Sequence, residues 1–457
     1  MRTYFPRSTG HEYASFLECV EALQPGPEAV DVQQLFNFLS FGAFYTDRTM
    51  LAPVGKRHTH QPFLLHPSRG FVEETRPAKL SRSAGADKNP EAAFIRFFEQ
   101  RAGQLNADRY RISIDLTGGF DSRLVACMLH HCGIPFDAVF SRRAGDEAEE
   151  QLVKRVANLL GCRLHVIAPP PVSSEDELDE LFRLSDGMTD LMRMHSMRQL
   201  HLWRRAEGYN LVISGISGEV VKDFFWLQDA PFYRKKRPDY ERLYRMRMFA
   251  TPIPADWAAS AHKAAAAQTK AELMKLMKTQ HGPTNTHTYD AIYTNIKTRE
   301  LASVMLHNAG ELMQVYAPFL EPEILNLAYT MPRRLRVFNR FHRRLMTRLN
   351  PALAALPTTD NGSTASARPL LMAGDLAKNG WGKGRRLLQK KLQKHPQPVA
   401  AFSEAENPVV RQAAERSLRM LAAHGFFSQQ APSDAAQLPR QLWGRIITIA
   451  KVLERLS

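Results

Sequence analysis

The chain has 457 residues, 44% of them hydrophobic, and a net charge of +15, which is enough apolar material for a large core and favours two compact units. It contains no apolar run of about 18 residues, and its first residues lack the apolar stretch of a secretory signal, so we expect no transmembrane segment. The four cysteines form no zinc-like C-x₂-C pair, which predicts reduced thiols in a cytoplasmic protein.

In chain order, short mixed elements fill residues 1–75, and the polar segment 76–92 is typical of a linker. The following patterns alternate between the periods of helices and strands: a helix at about 92–105, a strand from Ile112 to Leu116, a helix after it, a strand at 136–141, a helix at 147–161, a strand at 163–167, a helical stretch to about 207, a strand at 210–214 and helices from about 256 to 330. This alternation predicts an α/β fold with a doubly wound parallel sheet, whose ligand lies at the carboxyl ends of the strands.

Basic residues are concentrated in two late runs, 332–348 and 383–394. Helical spacing of the leucines in the second run favours a solvated helix face for such a run. Binding to RNA or to an anionic membrane surface stays open as a second interpretation.

The most informative segment is the junction TGGFDS at 117–122, where the period changes from strand to helix. Gly118 and Gly119 allow a sharp turn and close approach of a ligand, and the following helix offers free N–H groups to an anion. In its first turn, the Ser122 hydroxyl can bind a phosphate and the Asp121 carboxylate can hold Mg²⁺. The alternative is an ordinary strand-to-helix turn with a capping Asp.

This string resembles the SGGxDS pyrophosphate loop of the PP-loop ATP pyrophosphatases, with Thr117 in place of the first Ser. The segment NLVISGISGEVVKDFF (210–225) is similar to the strand and SGxGxDE loop of the asparagine synthetase class. Corroborating segments, AGDEAEEQLVKRVANLLGCRLHVI and YAPFLEPEILNLAYTMPRRLRV, follow in the family's order, and the resemblance spans roughly 31–370. A Walker G-x-x-x-x-G-K-[ST] motif is absent from the sequence.

The resemblance implies a PP-loop fold of the adenine nucleotide α-hydrolase type with a largely helical C-terminal part, within 76–457, and a reduced N-terminal domain at 1–75 that looks like the end of a glutaminase domain. It also implies ATP and Mg²⁺ as cofactors and activation of a carboxylate by adenylation. The residues that it assigns to the nucleotide are Leu116, Thr117, Gly118, Gly119, Asp121, Ser122, Val139, Ser214 and Gly215. Asp121 and Glu219 would share the metal, and Asp121, Ser122 and Glu219 would act in catalysis.

Three departures from the family pattern stand out. The chain starts Met1-Arg2-Thr3 without the N-terminal cysteine nucleophile, so we expect no functional glutaminase. Ile216 replaces the catalytic Glu or Tyr of the second loop, and an aliphatic side chain cannot take a proton. The segment after Leu356-Pro357 lacks the family's lysine.

Substitutes for the two missing groups are few. Asp186 and Asp190 are candidates for the absent base, with helix capping as the alternative for both. Lys378 is the candidate for the absent lysine, with solvent exposure as its alternative.

The resemblance therefore implies an AMP-forming ligase that joins a small-molecule or peptide carboxylate to an amine in a specialised biosynthetic pathway, as small-molecule amidation or macrolactam formation. Its expected partners include proteins of such a pathway, and nucleic acid is not expected as a partner. Two alternatives stay open: an RNA-modifying PP-loop enzyme, and a catalytically inactive nucleotide-binding or scaffold protein.

Overall fold

The computed structural model describes residues 2–58, 65–66, 70–71, 89–105, 108–229, 237–248, 250–359, 362–371, 374 and 407–456. The first elements are β1 (Arg2–Pro6), α1 (Phe16–Leu23), α2 (Val32–Phe41), β2 (Val54–His58), β3 (Leu65–His66) and β4 (Gly70–Phe71). β1 and β2 pair antiparallel, as do β3 and β4. Parts of the predicted linker 76–92, all of the basic run 383–394, and Lys378 lie outside the described residues.

The central part of the chain alternates helices and strands. Its elements are α3 (Pro90–Ala102), β5 (Ile112–Asp115), α4 (Phe120–His131), β6 (Asp137–Ser141), α5 (Glu147–Leu160), β7 (Leu164–Ile167), α6 (Glu175–Ser185), α7 (Met192–Ala206) and β8 (Leu211–Ile213). The predicted strands and helices of this part are confirmed to within a few residues, and the predicted helical stretch to about 207 is two helices. It breaks at Asp186 and Gly187, which both have positive φ.

The remaining elements are mostly helical. They are α8 (Tyr240–Arg247), α9 (Lys263–Lys278), α10 (Asn285–Ile292), a π-helix (Tyr293–Ala302), α11 (Ser303–Gly310), β9 (Gln314–Tyr316), α12 (Pro322–Thr330), α13 (Arg333–Arg336), α14 (Arg340–Leu349), α15 (Pro351–Ala355), α16 (Pro408–Ala423) and α17 (Gln441–Leu453). The expectation of helices throughout 256–330 is wrong at β9. Three residues are too few to show the alternation of apolar and polar side chains that marks a strand, and β9 is a strand because it pairs with β8.

Five strands form one parallel sheet in the order β7-β6-β5-β8-β9. From β5 the chain winds outward through β6 and β7, and then returns to build β8 and β9 on the other side. The direction of winding therefore reverses between β5 and β8, which is the point where open α/β sheets bind ligands. The predicted doubly wound parallel sheet is confirmed.

Two large apolar cores support this frame. The first joins the sheet to flanking helices through fully buried residues such as Leu116, Leu124 and Val153. The second joins the N-terminal helices to α6, α16 and α17, and it includes Phe16 and Ile446. The N-terminal residues thus share a core with the C-terminal helices, and the proposed boundary near residue 75 stays a prediction.

A buried ion cluster connects the N-terminal strands to the π-helix. The Glu300 carboxylate accepts from Arg2 at 2.7 Å and from Lys56 at 2.6 Å, and all three side chains are buried. Burial is the main cause that lowers the pKa of Lys56, to about 7, although Glu300 opposes it. Removing one partner of such a cluster leaves an uncompensated buried charge, so these contacts hold the π-helix in place.

Burial corrects one expectation about the basic residues of the run 332–348. Arg336 and Arg343 of the basic run 332–348 are buried, so the solvated-face interpretation is wrong for them. Both guanidinium groups bond to backbone carbonyls inside the protein, which compensates their burial. Within the described residues, no helix combines the length and the apolar character needed to cross a membrane.

Candidate active site

The first glycine loop (Thr117–Ser122) connects the central strand β5 to α4, at the carboxyl edge of the sheet. Just before it, the N–H of Leu116 donates to the Val139 carbonyl at 2.9 Å, so the two residues expected beside adenine are neighbours. The N-cap of α4 is Gly119, whose conformation is extended and which provides no capping side chain. Among the described residues, a Cβ on Gly119 would meet only the Thr117 hydroxyl within 4 Å, at 3.4 Å. The loop therefore leaves space beside the uncapped start of a helix, where an anion is favoured.

Polar groups inside the loop bond to one another. The Ser122 hydroxyl accepts the N–H of Thr117 at 3.0 Å and lies 2.8 Å from the Thr117 hydroxyl. The N–H of Gly118 donates to the Glu149 carboxylate at 2.8 Å. A carboxylate of the protein therefore already occupies one amide of the loop. A phosphate that used this amide would have to displace Glu149.

A buried arginine attaches the segment after Leu356 to the loop. Arg123 is 0% exposed, and its Nη2 donates to the carbonyls of Gly118 at 3.1 Å and Pro357 at 2.9 Å. The N–H of Thr359 donates to the Gly118 carbonyl at 3.0 Å, and a Cβ on Gly118 would clash with the Thr359 methyl. The segment in which the family's lysine was sought therefore packs directly on the first loop. Among the described residues of this segment, the contacts with the loop are made by main-chain groups and by Thr359.

The second glycine loop (Ser214–Glu219) follows β8 and packs against the first. A Cβ on Gly215 would lie 2.9 Å from the backbone nitrogen of Ser122, and one on Gly218 would overlap the Asp121 carboxylate. Both positions therefore need glycine for close packing. The N–H of Ser214 donates to the Tyr316 carbonyl at 2.8 Å, which joins the loop to β9. The two loops predicted from the sequence are thus brought together at the switch point of the sheet.

Asp121 lies at the junction of the loops and is held by two cationic or polar groups. Lys222 donates to its Oδ2 at 2.6 Å, and Nε2 of the buried His342 lies 2.9 Å from its Oδ1. Burial alone would raise the pKa of Asp121, but Lys222 and His342 outweigh it and lower the pKa to about 2. This carboxylate is therefore ionised at neutral pH, as a metal ligand must be.

Glu219 accepts a hydrogen bond from the Tyr293 hydroxyl at 2.9 Å. The pKa of Tyr293 is raised well above its usual value, mainly by burial and then by the Glu219 carboxylate, with a further contribution from Asp121. This hydrogen bond joins the second glycine loop to the π-helix. Tyr293 opens the π-helix, a form that occurs often at functional sites.

Asp121 and Glu219 fit a magnesium–phosphate site, but a bound ion would have to replace one existing contact of Asp121. Oδ1 of Asp121 lies 2.9 Å from Nε2 of His342 and Oδ2 bonds to Lys222, so an ion bound at Asp121 would replace one of these two contacts. Among the described residues, no group of three or more His, Cys, Asp or Glu side chains forms a metal cluster. Mg²⁺ is commonly held by one or two carboxylates together with substrate phosphates and water, which needs no larger cluster.

The remaining predicted residues have other contacts. Asp190 accepts the N–H of Met192 at the start of α7 and packs against Gly444 of α17. Asp186 accepts from the Ser15 hydroxyl and from two N–H groups at the start of α1. These are capping roles, and the assignment of either carboxylate as a base stays a prediction. Lys378 lies outside the described residues.

Sequence reasoning missed several groups of the site. Lys222 stands in the segment 210–225 that was singled out, and its charge so close to a phosphate loop was the available signal. Tyr293 and His342 come from distant helices and belong to no motif. Arg123 and Glu149 follow the loop on α4 and α5, and only their folded positions reveal their contacts.

The comparison with known families agrees with this geometry. The sequence model of the asparagine synthase family matches residues 100–354, which is more than half of the chain. The chain belongs to the asparagine synthase family. The match contains both glycine loops and all five strands of the parallel sheet. Asparagine synthase family membership implies an ATP-dependent ligase in general terms. Among curated proteins, none matches this chain.

Proposed function

We propose that this protein is an AMP-forming carbon–nitrogen ligase that adenylates a carboxylate, transfers the acyl group to an amine and releases pyrophosphate. The observation that carries the proposal is the contact of the two glycine loops at the switch point, with the ionised Asp121 at their junction. One loop is suited to pyrophosphate and the other to the adenylate. Attack of a carboxylate oxygen on the α-phosphorus breaks the bond between these two parts of ATP.

In this proposal the chain's own groups hold and orient the nucleotide. Thr117, Ser122 and the N–H groups that begin α4 bind pyrophosphate oxygens, and the main chain at Leu116 and Val139 flanks the adenine. Ser214 and Gly215 contact the AMP portion. Donors that are already in position stabilise the developing charge without reorganisation, so they act mainly on the chemical step.

Asp121 and Glu219 would hold Mg²⁺. When bound, the ion supplies charge neutralisation for the triphosphate, which two carboxylates alone cannot give. Tyr293 orients Glu219 through its hydroxyl, while Asp121 must exchange its contact with Lys222 or with His342 for the ion.

The amine is free ammonia or an amine of the substrate. Cys19, the first cysteine, is buried in α1, and burial followed by the nearby Asp186 raises its pKa to about 11. A thiol in that state is a poor nucleophile, which supports the expectation that this chain does not hydrolyse glutamine. The acceptor's proton needs a base that Ile216 cannot be, and Asp190 is the proposed candidate. The carboxylate is proposed to be a small molecule or a peptide of a specialised pathway.

The test is ATP–pyrophosphate exchange across a panel of carboxylic acids, with nucleotide analysis after ammonia or an amine is added. We expect exchange with at least one acid, AMP as the product, and loss of both in Asp121→Ala. Circular dichroism checks that this variant stays folded. Accumulation of ADP, or full activity of the Asp121 variant, would overturn the proposal. Tight binding of an ATP analogue without exchange on any acid would favour the inactive nucleotide-binding alternative.

A further inference from the structure

Asp115 is the last residue of the central strand β5, and its side chain is accessible. The other three residues of the strand, Ile112, Ser113 and Ile114, are buried, whereas the Asp115 side chain is 45% exposed. Successive side chains of a strand point to opposite faces, so Asp115 lies on the face opposite to Ile114 and Leu116, which are packed in the first apolar core. At the carboxyl end of β5, the open face of the sheet is therefore the face of Asp115.

A buried arginine holds the Asp115 carboxylate. Nη2 of Arg204, on α7, donates to Oδ1 of Asp115, and the Arg204 side chain is only 1% exposed. Nδ1 of His201 lies 3.4 Å from Nη1 of the same arginine. Burial, followed by the charge of Arg204, lowers the pKa of His201 to about 4, so this imidazole is neutral at neutral pH and adds no charge. Arg204 and Asp115 therefore balance each other, and the carboxylate has a fixed support.

Asp115 lies beside the position proposed for the adenine. It pairs in register with Val139 of β6, and the N–H of the next residue, Leu116, donates to the Val139 carbonyl at 2.9 Å. The main chain at Leu116 and Val139 is the proposed boundary of the adenine, whereas the phosphates are proposed to lie further along the chain, at the start of α4. An ionised carboxylate only accepts hydrogen bonds. The hydrogen-bond donors of ATP with ionised phosphates are the ribose hydroxyls and the adenine amino group, which all belong to its nucleoside part.

We propose that Asp115, held by Arg204, binds the nucleoside part of the nucleotide by accepting a hydrogen bond from a ribose hydroxyl or from the adenine amino group. This inference rests on the proposed function of the site. The pair with Arg204 does not have to break, because a carboxylate has about four acceptor sites and can accept from the arginine and the ligand together. Arg204 is a positioning residue, whose charge also offsets the repulsion between the carboxylate and the phosphates.

The experiment is calorimetric titration of wild type and Asp115→Asn, with Mg²⁺ and without an acid substrate. Asparagine keeps an oxygen for Arg204 but removes the charge, so the affinity for ATP should fall by about three- to tenfold while that for inorganic pyrophosphate is unchanged. The loss should shrink with dideoxy-ATP if a ribose hydroxyl is bound, and with purine riboside triphosphate if the amino group is bound. An unchanged ATP affinity, an equal loss for pyrophosphate, or a loss that is undiminished with both analogues would overturn the inference.

A second comparison covers the case in which Asp115→Asn does not fold. Arg204→Met removes the buried charge and leaves a carboxylate that water can reach, so Asp115→Leu/Arg204→Met against Arg204→Met isolates the carboxylate. The double variant should bind ATP more weakly than the single one and pyrophosphate equally well, and equal ATP affinities would contradict the inference. Asp179→Asn, which changes a 54% exposed aspartate paired with Lys451 on α6, is the matched control and should behave as wild type. If wild type itself binds neither ATP nor pyrophosphate, the proposed function falls and the inference falls with it.

Discussion

Gly215→Ala should separate the two glycine loops. The new Cβ would lie 2.9 Å from the backbone nitrogen of Ser122, 3.1 Å from its Cα and 3.2 Å from the carbonyl carbon of Asp121. Ordinary contacts of carbon are about 3.5–4.0 Å, so the loops must move apart by roughly 0.5 Å or more. Main-chain atoms cannot move aside as a flexible side chain can. We expect a loss of about 1–3 kcal/mol in the free energy of unfolding.

The same displacement should affect turnover more strongly than it affects the free energy of unfolding. A shift of about 1 Å at a reacting centre can cost on the order of a hundredfold in rate, so turnover should fall by about ten- to a hundredfold. Denaturant unfolding measures the first quantity, and ATP–pyrophosphate exchange measures the second.

Two other glycines provide controls for this substitution. Gly103 has a right-handed helical conformation, and a Cβ there would meet no atom of the described residues within 4 Å, so Gly103→Ala should be neutral or slightly stabilising. Gly119→Ala should also leave stability near wild type, but its Cβ enters the space proposed for pyrophosphate and should weaken nucleotide binding. If Gly215→Ala unfolds at the same denaturant concentration as Gly103→Ala, the contact between the loops is refuted.

Four further outcomes are expected. Asp121→Asn and Glu219→Gln should each weaken the Mg²⁺-dependent binding of a non-hydrolysable ATP analogue. Measured by calorimetry, the loss of binding free energy in the double variant should be much smaller than the sum of the two single losses. Additive losses would assign the two residues to separate sites. Glu149→Gln should raise the affinity for the same analogue several-fold, because a neutral amide oxygen competes less strongly than a carboxylate for the Gly118 N–H and no longer repels phosphate. A lower affinity would mean that Glu149 supports the ligand. The folded pKa of Asp121 is about 2 and its unfolded value is near 3.9, so its ionised form should add about 2 kcal/mol to the free energy of unfolding above pH 4, which is lost as the pH falls to about 2. Asp121→Asn should remove this pH dependence from acid unfolding curves. An unchanged dependence would contradict the pairing of Asp121 with Lys222 and His342. No glutamate should form from glutamine, as a coupled assay would report, and its release would sink the proposed ammonia or substrate-amine route.

The parts of the fold that could be predicted are those with a local signal. Ile112, Ile114 and Leu116 alternate with polar residues as a strand requires, and the glycine pair marks the point where the strand gives way to a helix. Both glycine loops also carry a local signal, because close packing dictates their residue types. Gly118, Gly215 and Gly218 are examples where the structure leaves no room for a Cβ.

The parts that could not be predicted depend on contacts between distant residues. β9 is a strand only because β8 pairs with it, and the core shared by Phe16 and Ile446 has no signature in either segment. His342 and Tyr293 reach the two carboxylates from helices that carry no motif. Their chemistry in the site arises from position, which local sequence patterns do not encode.

The nucleotide product of turnover tests the central claim most directly. With a carboxylic acid that supports exchange, an amine and ATP labelled in the α- and γ-phosphates, chromatography separates the four possible products. The account predicts AMP and pyrophosphate in equal amounts, with oxygen from an ¹⁸O-labelled carboxylate recovered in AMP. ADP and phosphate, or AMP without the labelled oxygen, would contradict it.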